Sequence, residues 1–315
     1  MANKKMTSLG KQKSVIRELA GFGAERAKVV GPENVLNFSI GNPSVPAPKE
    51  VQEAIIDLTK NEKPQAVHSY SAGNGFESTR QAIAENLNKR YGTDYDASNL
   101  YMTCGAAASL NISLAALIEE PTDEVVVLAP FFPEYTVFIE SQGGKMVLVE
   151  ARDDMQLHAE DVEKVLTENT RAVLINTPNN PAGVIYSKEA LEELAAVLEK
   201  KSKEIGHPIY ILSDEPYREL VLVDDAEVAW VPNIYDNTVV CYSWSKSLSL
   251  PGERIGYILV PGTVEDKDLM PAVGGAGRSL GFVCAPTLMQ KVIERCVDVE
   301  PDVEVYKKNR DLLFD

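Results

Sequence analysis

The apolar positions of this chain fall into two rhythms. From residue 100 onward, short and nearly unbroken apolar runs recur at 100–103, 125–128, 146–149, 172–176, 209–212, 239–242 and 255–260. Between them the spacing turns helical, over 107–117, 135–140, 162–166 and 188–201. Unbroken runs rich in Val, Ile and Leu, separated by helix-length segments, predict strands covered on both faces and joined by helical crossovers. The expected architecture is therefore α/β, a mostly parallel seven-stranded sheet sandwiched by helices. No helical pattern separates the last two runs, so one strand of that pair is expected to run antiparallel.

Ahead of this region the pattern is looser. The first thirty residues are helical only in places (Val15, Ile16, Leu19) and read as an arm or lid. Residues 35–40 read as a short strand ending in Gly41-Asn42-Pro43, a turn signal. Pro48 opens a helix with Val51, Ala54, Ile55 and Leu58 on its apolar side, and a second helix carries Ile83, Leu87 and Tyr91. Between them lies a glycine-containing loop from Tyr70 to Gly75. Residues 303–314 read as a helix with no closing glycine.

Composition narrows the partners. With 31 Lys+Arg against 47 Asp+Glu, the net charge is -16, which argues against nucleic acid or an anionic membrane as the main partner. No apolar run approaches the ~18 residues of a membrane span, and the N-terminal stretch has no signal-peptide core. Cys104, Cys241, Cys284 and Cys296 show no CxxC spacing and no clustering with His68, His158 or His207. They are read as reduced thiols of a cytoplasmic protein, without a metal site.

Candidate chemistry gathers at the ends of the expected strands, where ligands of such sheets bind. After the first run come Gly105, Ala106 and Ala107, a small-residue turn opening a helix; it suits an anion at the helix N-terminus, though a turn of this kind taken alone more often serves packing. Asn176-Thr177-Pro178-Asn179-Asn180-Pro181-Ala182-Gly183 follows the fourth run, a rigid turn carrying two central asparagines. Asp214 follows the fifth, and a carboxylate there needs a cation or several donors. Lys246 follows the sixth, among Ser243, Ser245 and Ser247, with Arg254 eight residues on. A desolvated lysine loses its proton more easily and can attack a carbonyl, while arginine and hydroxyl side chains hold phosphate. Taken alone, Lys246 reads sooner as a solvated lysine in a Ser-rich loop.

The Ser-x-Ser-Lys-x(7)-Arg-x-Gly spacing, with Asp-x-x-Tyr about thirty residues earlier and Asn-Pro-x-Gly earlier still, resembles the class I/II aminotransferases. These are pyridoxal 5'-phosphate enzymes of the aspartate-aminotransferase fold (fold type I), and the likeness runs from Gly41 onward. The resemblance implies that Lys246 holds the cofactor covalently and later shuttles a proton. It implies that Asp214 pairs with the pyridine nitrogen and that Tyr217 and Asn180 bond the phenolic oxygen. Phe132 would stack on the ring, and Ser243, Arg254 and the amides of Gly105, Ala106 and Ala107 would hold the phosphate. Tyr70 would reach the phosphate in a neighbouring subunit, implying a homodimer with shared active sites. Gly41 would close near the substrate carboxylate. Arg278 would bind substrate from a glycine-rich loop, as in some dicarboxylate-specific relatives.

Two departures stand out. Cys104 and Ala106 occupy places where hydroxyl or amide side chains are common. The family's chains are usually longer, and the arginine that clamps the substrate α-carboxylate lies beyond this one, so the chain is expected to be truncated. The domains expected are 1–47, an arm with part of a small domain; 48–285, the large cofactor domain; and 286–315, the start of an incomplete C-terminal small domain. The function implied is ping-pong transfer of an amino group from an L-amino acid to a 2-oxo acid. A C–S lyase, a cyclopropane-forming synthase and an impaired cofactor-binding remnant share most of these residues and stay open.

Overall fold

The computed structural model describes residues 2–11, 15–36, 38 and 41–314. The chain divides into two compact units, residues 1–44 and 45–315. The first holds helices α1 (Lys4–Lys11) and α2 (Val15–Val30), followed by a 3-10 turn at Pro32–Asn34. Of the strand expected over 35–40, residues 37, 39 and 40 lie outside the described residues, and Val35, Leu36 and Phe38 are irregular.

The second unit begins with α3 (Lys49–Asn61), α4 (Pro64–His68) and α5 (Glu77–Tyr91). Then β1 (Leu100–Thr103), α6 (Ala106–Leu117), β2 (Glu124–Leu128), α7 (Glu134–Ser141), β3 (Lys145–Val149) and α8 (Ala159–Glu163) follow. The order continues with β4 (Thr170–Asn176), α9 (Lys188–Ile205), β5 (Tyr210–Asp214), β6 (Thr238–Ser243) and β7 (Gly256–Leu259). Helices α10 (Leu269–Ser279), α11 (Thr287–Cys296) and α12 (Glu304–Phe314) end it.

All seven expected strands form, in one sheet of order β1-β7-β6-β5-β4-β2-β3. The antiparallel strand is β7, which pairs that way with both β1 and β6, while the remaining pairings are parallel. Alternate residues feed opposite cores, as a two-residue period requires. Val125, Val127, Ala172, Leu174, Leu212 and Cys241 face a cluster with Leu110, Ile112 and Leu114 of α6. Val126, Val173, Ile175 and Ile211 face another with Leu191, Leu194 and Leu198 of α9. A third cluster joins α3, α5 and α11 to Val240 and Tyr242 of β6 and Tyr257 of β7.

Two helices differ from expectation. The turn expected at 162–166 lies earlier, at α8, where Glu160 and Asp161 occupy the first turn and favour the helix dipole. Leu166 is buried beyond its end. Arg278 is not on a loop: it sits in the last turn of α10, despite Gly274, Gly275 and Gly277. Leu269, Val273 and Ala276 of α10 are buried in the α6 cluster, and a Cβ on Gly277 would run into the Tyr101 phenol. Close packing therefore demands the glycine at 277 and outweighs the roughly 1 kcal/mol of helix propensity that each glycine forgoes. No helix among the described residues is long and apolar enough to cross a membrane.

Candidate active site

The parallel register brings two polar residues side by side at the carboxyl ends of β4 and β5: Asn176 pairs with Asp214, which in turn lies opposite Cys241 of β6. Asn176, the last residue of β4, donates its amide to the Asp214 carbonyl at 2.7 Å and accepts the Asn180 N–H at 2.7 Å. One side chain thus ties the Asn-Pro turn to the end of β5. Asn180 in turn donates to the Tyr217 hydroxyl at 2.9 Å. The Lys246 Nζ lies 6.0 Å from the centre of the Tyr217 ring.

Asp214 is buried, and its two oxygens differ. Oδ2 accepts a 2.5 Å hydrogen bond from the Tyr135 hydroxyl, while buried Oδ1 has no protein partner. Burial pushes the Asp214 carboxyl up to about 7; the Tyr135 bond opposes this, and the Glu215 charge adds to it. Burial, reinforced by Asp214, raises the Tyr135 phenol well above its usual range. Tyr217 is also raised, first by burial and then by Asp214, against the Asn180 hydrogen bond. The Lys246 amine is lowered by burial and by Arg254. The base of the site therefore disfavours charge, and its lysine is biased toward the neutral, nucleophilic form.

Beside this lies a cup built by close backbone approach. Gly105 has φ 89°, and a Cβ there would come within 2.7 Å of the Arg254 Nη2. A Cβ on Gly256 would strike the Tyr242 carbonyl and lie 2.9 Å from the Gly105 Cα. Both positions need the smallest residue for the start of α6 to meet Arg254. Arg254 itself has φ 51°, uncommon for a residue with a side chain, and donates to the Pro251 carbonyl at 2.9 Å. Ser243, buried, donates to Ser245 Oγ at 3.1 Å. Gly105, Ala106 and Ala107 open α6, where the first N–H groups have no intrahelical acceptor. An arginine, a helix N-terminus and small hydroxyls around one turn could hold an anion.

Phe132 stands edge-on to Tyr135, with ring centres 5.7 Å apart at 84°. Tyr70 is 84% exposed, and Arg278 is exposed at the end of α10. Gly41 belongs to the first unit. Arg295 pairs with Asp57 on α3 and with Glu62 just past its end, and Arg310 donates to the Leu222 carbonyl. Sequence reasoning passed over Tyr135 and Asn176 as site residues. Asn176 was visible as the polar end of an apolar run. Tyr135 carried only the signal of three aromatics in Phe131-Phe132-Pro133-Glu134-Tyr135.

Comparison with known proteins places this geometry in context. The family profile described as "Aminotransferase class I and II" matches residues 33–313. An aspartate aminotransferase of Thermotoga maritima is 35% identical over 238 residues, which is 74% of this chain and 60% of that protein. A crystal structure of an amino transferase from Eubacterium rectale superposes with a TM-score of 0.97 at 52% identity, covering 100% of this chain and 79% of that one. Aspartate aminotransferase from Thermus thermophilus, crystallised with maleate, gives a TM-score of 0.85 at 25% identity, covering 100% of this chain and 80% of that one.

Proposed function

Because the chain belongs to the class I and II aminotransferases, we propose that it exchanges an amino group between an L-amino acid and a 2-oxo acid, in ping-pong order, with pyridoxal 5'-phosphate at the rim of the sheet. The observation that carries the reading is the bare Oδ1 of Asp214, buried and without a protein partner. A buried carboxylate oxygen left unpaired is costly, and a protonated ring nitrogen would complete it. The Gly105–Arg254 cup and the Asn180–Tyr217 pair suit the phosphate and the phenolic oxygen. When bound, the cofactor supplies an aldehyde and an electron-accepting ring.

The chain's own residues supply the rest. Lys246, held toward neutrality by burial and by Arg254, would hold the cofactor through its aldehyde, and its free amine would carry the proton from the substrate α-carbon. Asp214, fixed by the Tyr135 hydroxyl, holds a proton on the ring nitrogen. Tyr217, oriented by Asn180, directs its hydroxyl to the phenolic oxygen. Phe132 covers one ring face and excludes water from it. Arg254, Ser243 and the amides from Gly105 to Ala107 anchor the phosphate. Further parts of this proposal are a homodimer in which Tyr70 reaches the neighbour's phosphate, a closing role for Gly41, a cytoplasmic location, and Arg278 as a contact for an acidic side chain.

Relatives named as aspartate aminotransferases make aspartate the first donor to try. The test is incubation of the cofactor-loaded protein with a panel of amino acids and 2-oxoglutarate. Formation of glutamate with the donor's own 2-oxo acid is expected. Pyruvate with ammonia or a thiol, and no new amino acid, would overturn the transaminase reading in favour of a lyase.

A further inference from the structure

A buried polar cluster lies on the side of the sheet opposite α6. Along β6, Val239 and Cys241 face α6, whereas Val240 and Tyr242 face the cluster with α3, α5 and α11. There Arg218 is buried, bonded to Glu215 Oε2 at 2.9 Å, Glu219 Oε1 at 3.2 Å and Tyr257 Oη at 3.1 Å. Its guanidinium lies 4.4 Å from the Tyr242 ring centre and 5.1 Å from that of Trp230. Arg90 reaches Glu219 at 3.2 Å, so two cations face two carboxylates.

Tyr242 is the link across this cluster. Its hydroxyl donates to Glu219 Oε2 at 2.9 Å and shares a 2.8 Å hydrogen bond with Ser247 Oγ. Glu219 lies two residues beyond Tyr217, and Ser247 directly follows Lys246. The two loops that present Tyr217 and Lys246 at the rim are thus joined behind the sheet by a chain of side-chain hydrogen bonds. The Tyr242 ring is itself pinned, with Tyr257 at 5.0 Å and Trp244 at 5.2 Å between centres.

We propose that the buried Glu219–Tyr242–Ser247 relay is the positioning element that sets the Lys246 amine against the Tyr217 hydroxyl. The proposal rests on the reading that these two groups act on the cofactor. The relay touches no reacting atom. It works by fixing the two loops relative to one another, because each end of the relay is within two residues of a reacting side chain. An error of about 1 Å at such a site lowers rate far more than affinity.

Tyr242→Phe is the cleanest variant, since it removes the hydroxyl and keeps the ring under Arg218. A cavity of about 20 Å³ lined by Arg218, Glu219, Tyr242 and Ser247 has room for about one water to meet the polar ends left behind. Ser247→Ala breaks the other end of the relay and serves as the second variant. In the pyridoxal-phosphate-loaded enzyme, both should lower kcat about tenfold with KM within about twofold. Both should also shift the pH midpoint of the cofactor's visible band by about half a unit or more. Loss of thermal stability with the midpoint within about 0.2 unit and kcat within about twofold of the parent would show a merely structural cluster and overturn the proposal. If the parent's visible band survives Lys246→Ala unchanged, the underlying assignment fails, and the proposal with it.

Discussion

Asp214 shows how much one buried atom determines. Its carboxyl holds a proton up to about pH 7 in the folded chain without cofactor, whereas an unfolded chain releases it near ~3.9. Between those values the folded state binds more protons than the unfolded state, so the group's contribution to stability falls as pH rises. Asp214→Asn cannot ionise. Without cofactor it should therefore unfold a few degrees higher than the parent at pH 8, with the gap closing toward pH 5. Thermal scans at both pH values check this, and a gap that does not narrow would contradict the burial argument. With cofactor the sign reverses: Asp214→Asn should lower turnover by a few tens-fold or more, since an amide holds no proton on the ring nitrogen. Turnover within about twofold of the parent would make Asp214 a structural residue only. The position of Asp214 could be read from its place after an apolar run. Its tie to Tyr135, 79 residues away, could not, because it depends on how α7 packs over the sheet.

At the level of elements, the strands were the most readable part of the chain. Six of them are buried along nearly their whole length, and even β3, a half-exposed edge strand, keeps an apolar run, so composition alone marks them. Helix α10 was the least readable, because its glycines argue locally for a loop while burial against α6 decides for a helix. The glycines within it should separate by context. A Cβ on Gly274 or Gly275 meets nothing within 4 Å, so Gly→Ala at either should stabilise by up to about 1 kcal/mol. Gly277→Ala would push a methyl into the Tyr101 ring and should destabilise by roughly 1–3 kcal/mol. Denaturant unfolding of the three variants checks the contrast; equal shifts would contradict the packing explanation. The Glu219–Tyr242–Ser247 relay was equally hidden, since only the β5–β6 register and the turn after β6 bring its members together.

For the molecule as a whole, the sheet acts as a partition. Its carboxyl-terminal rim gathers Asn180, Asp214, Tyr217, Lys246 and the Arg254 cup on one side, while the Arg218 cluster braces the same loops from behind. Tyr70, 84% exposed in the single chain, finds its use only in the proposed dimer. Tyr70→Phe should weaken cofactor binding about tenfold, as the loss of one hydrogen bond to a charged group does. Fluorescence titration of the dimer would show this, and unchanged affinity would remove Tyr70 from the site. In the proposed reaction, glutamate formation, turnover and affinity would all depend on Lys246 as the residue that holds the cofactor aldehyde. Borohydride reduction of the pyridoxal-phosphate-loaded protein, followed by peptide mapping, reads that attachment directly. The account predicts the pyridoxyl label on the peptide carrying Lys246; a label on any other lysine would contradict it.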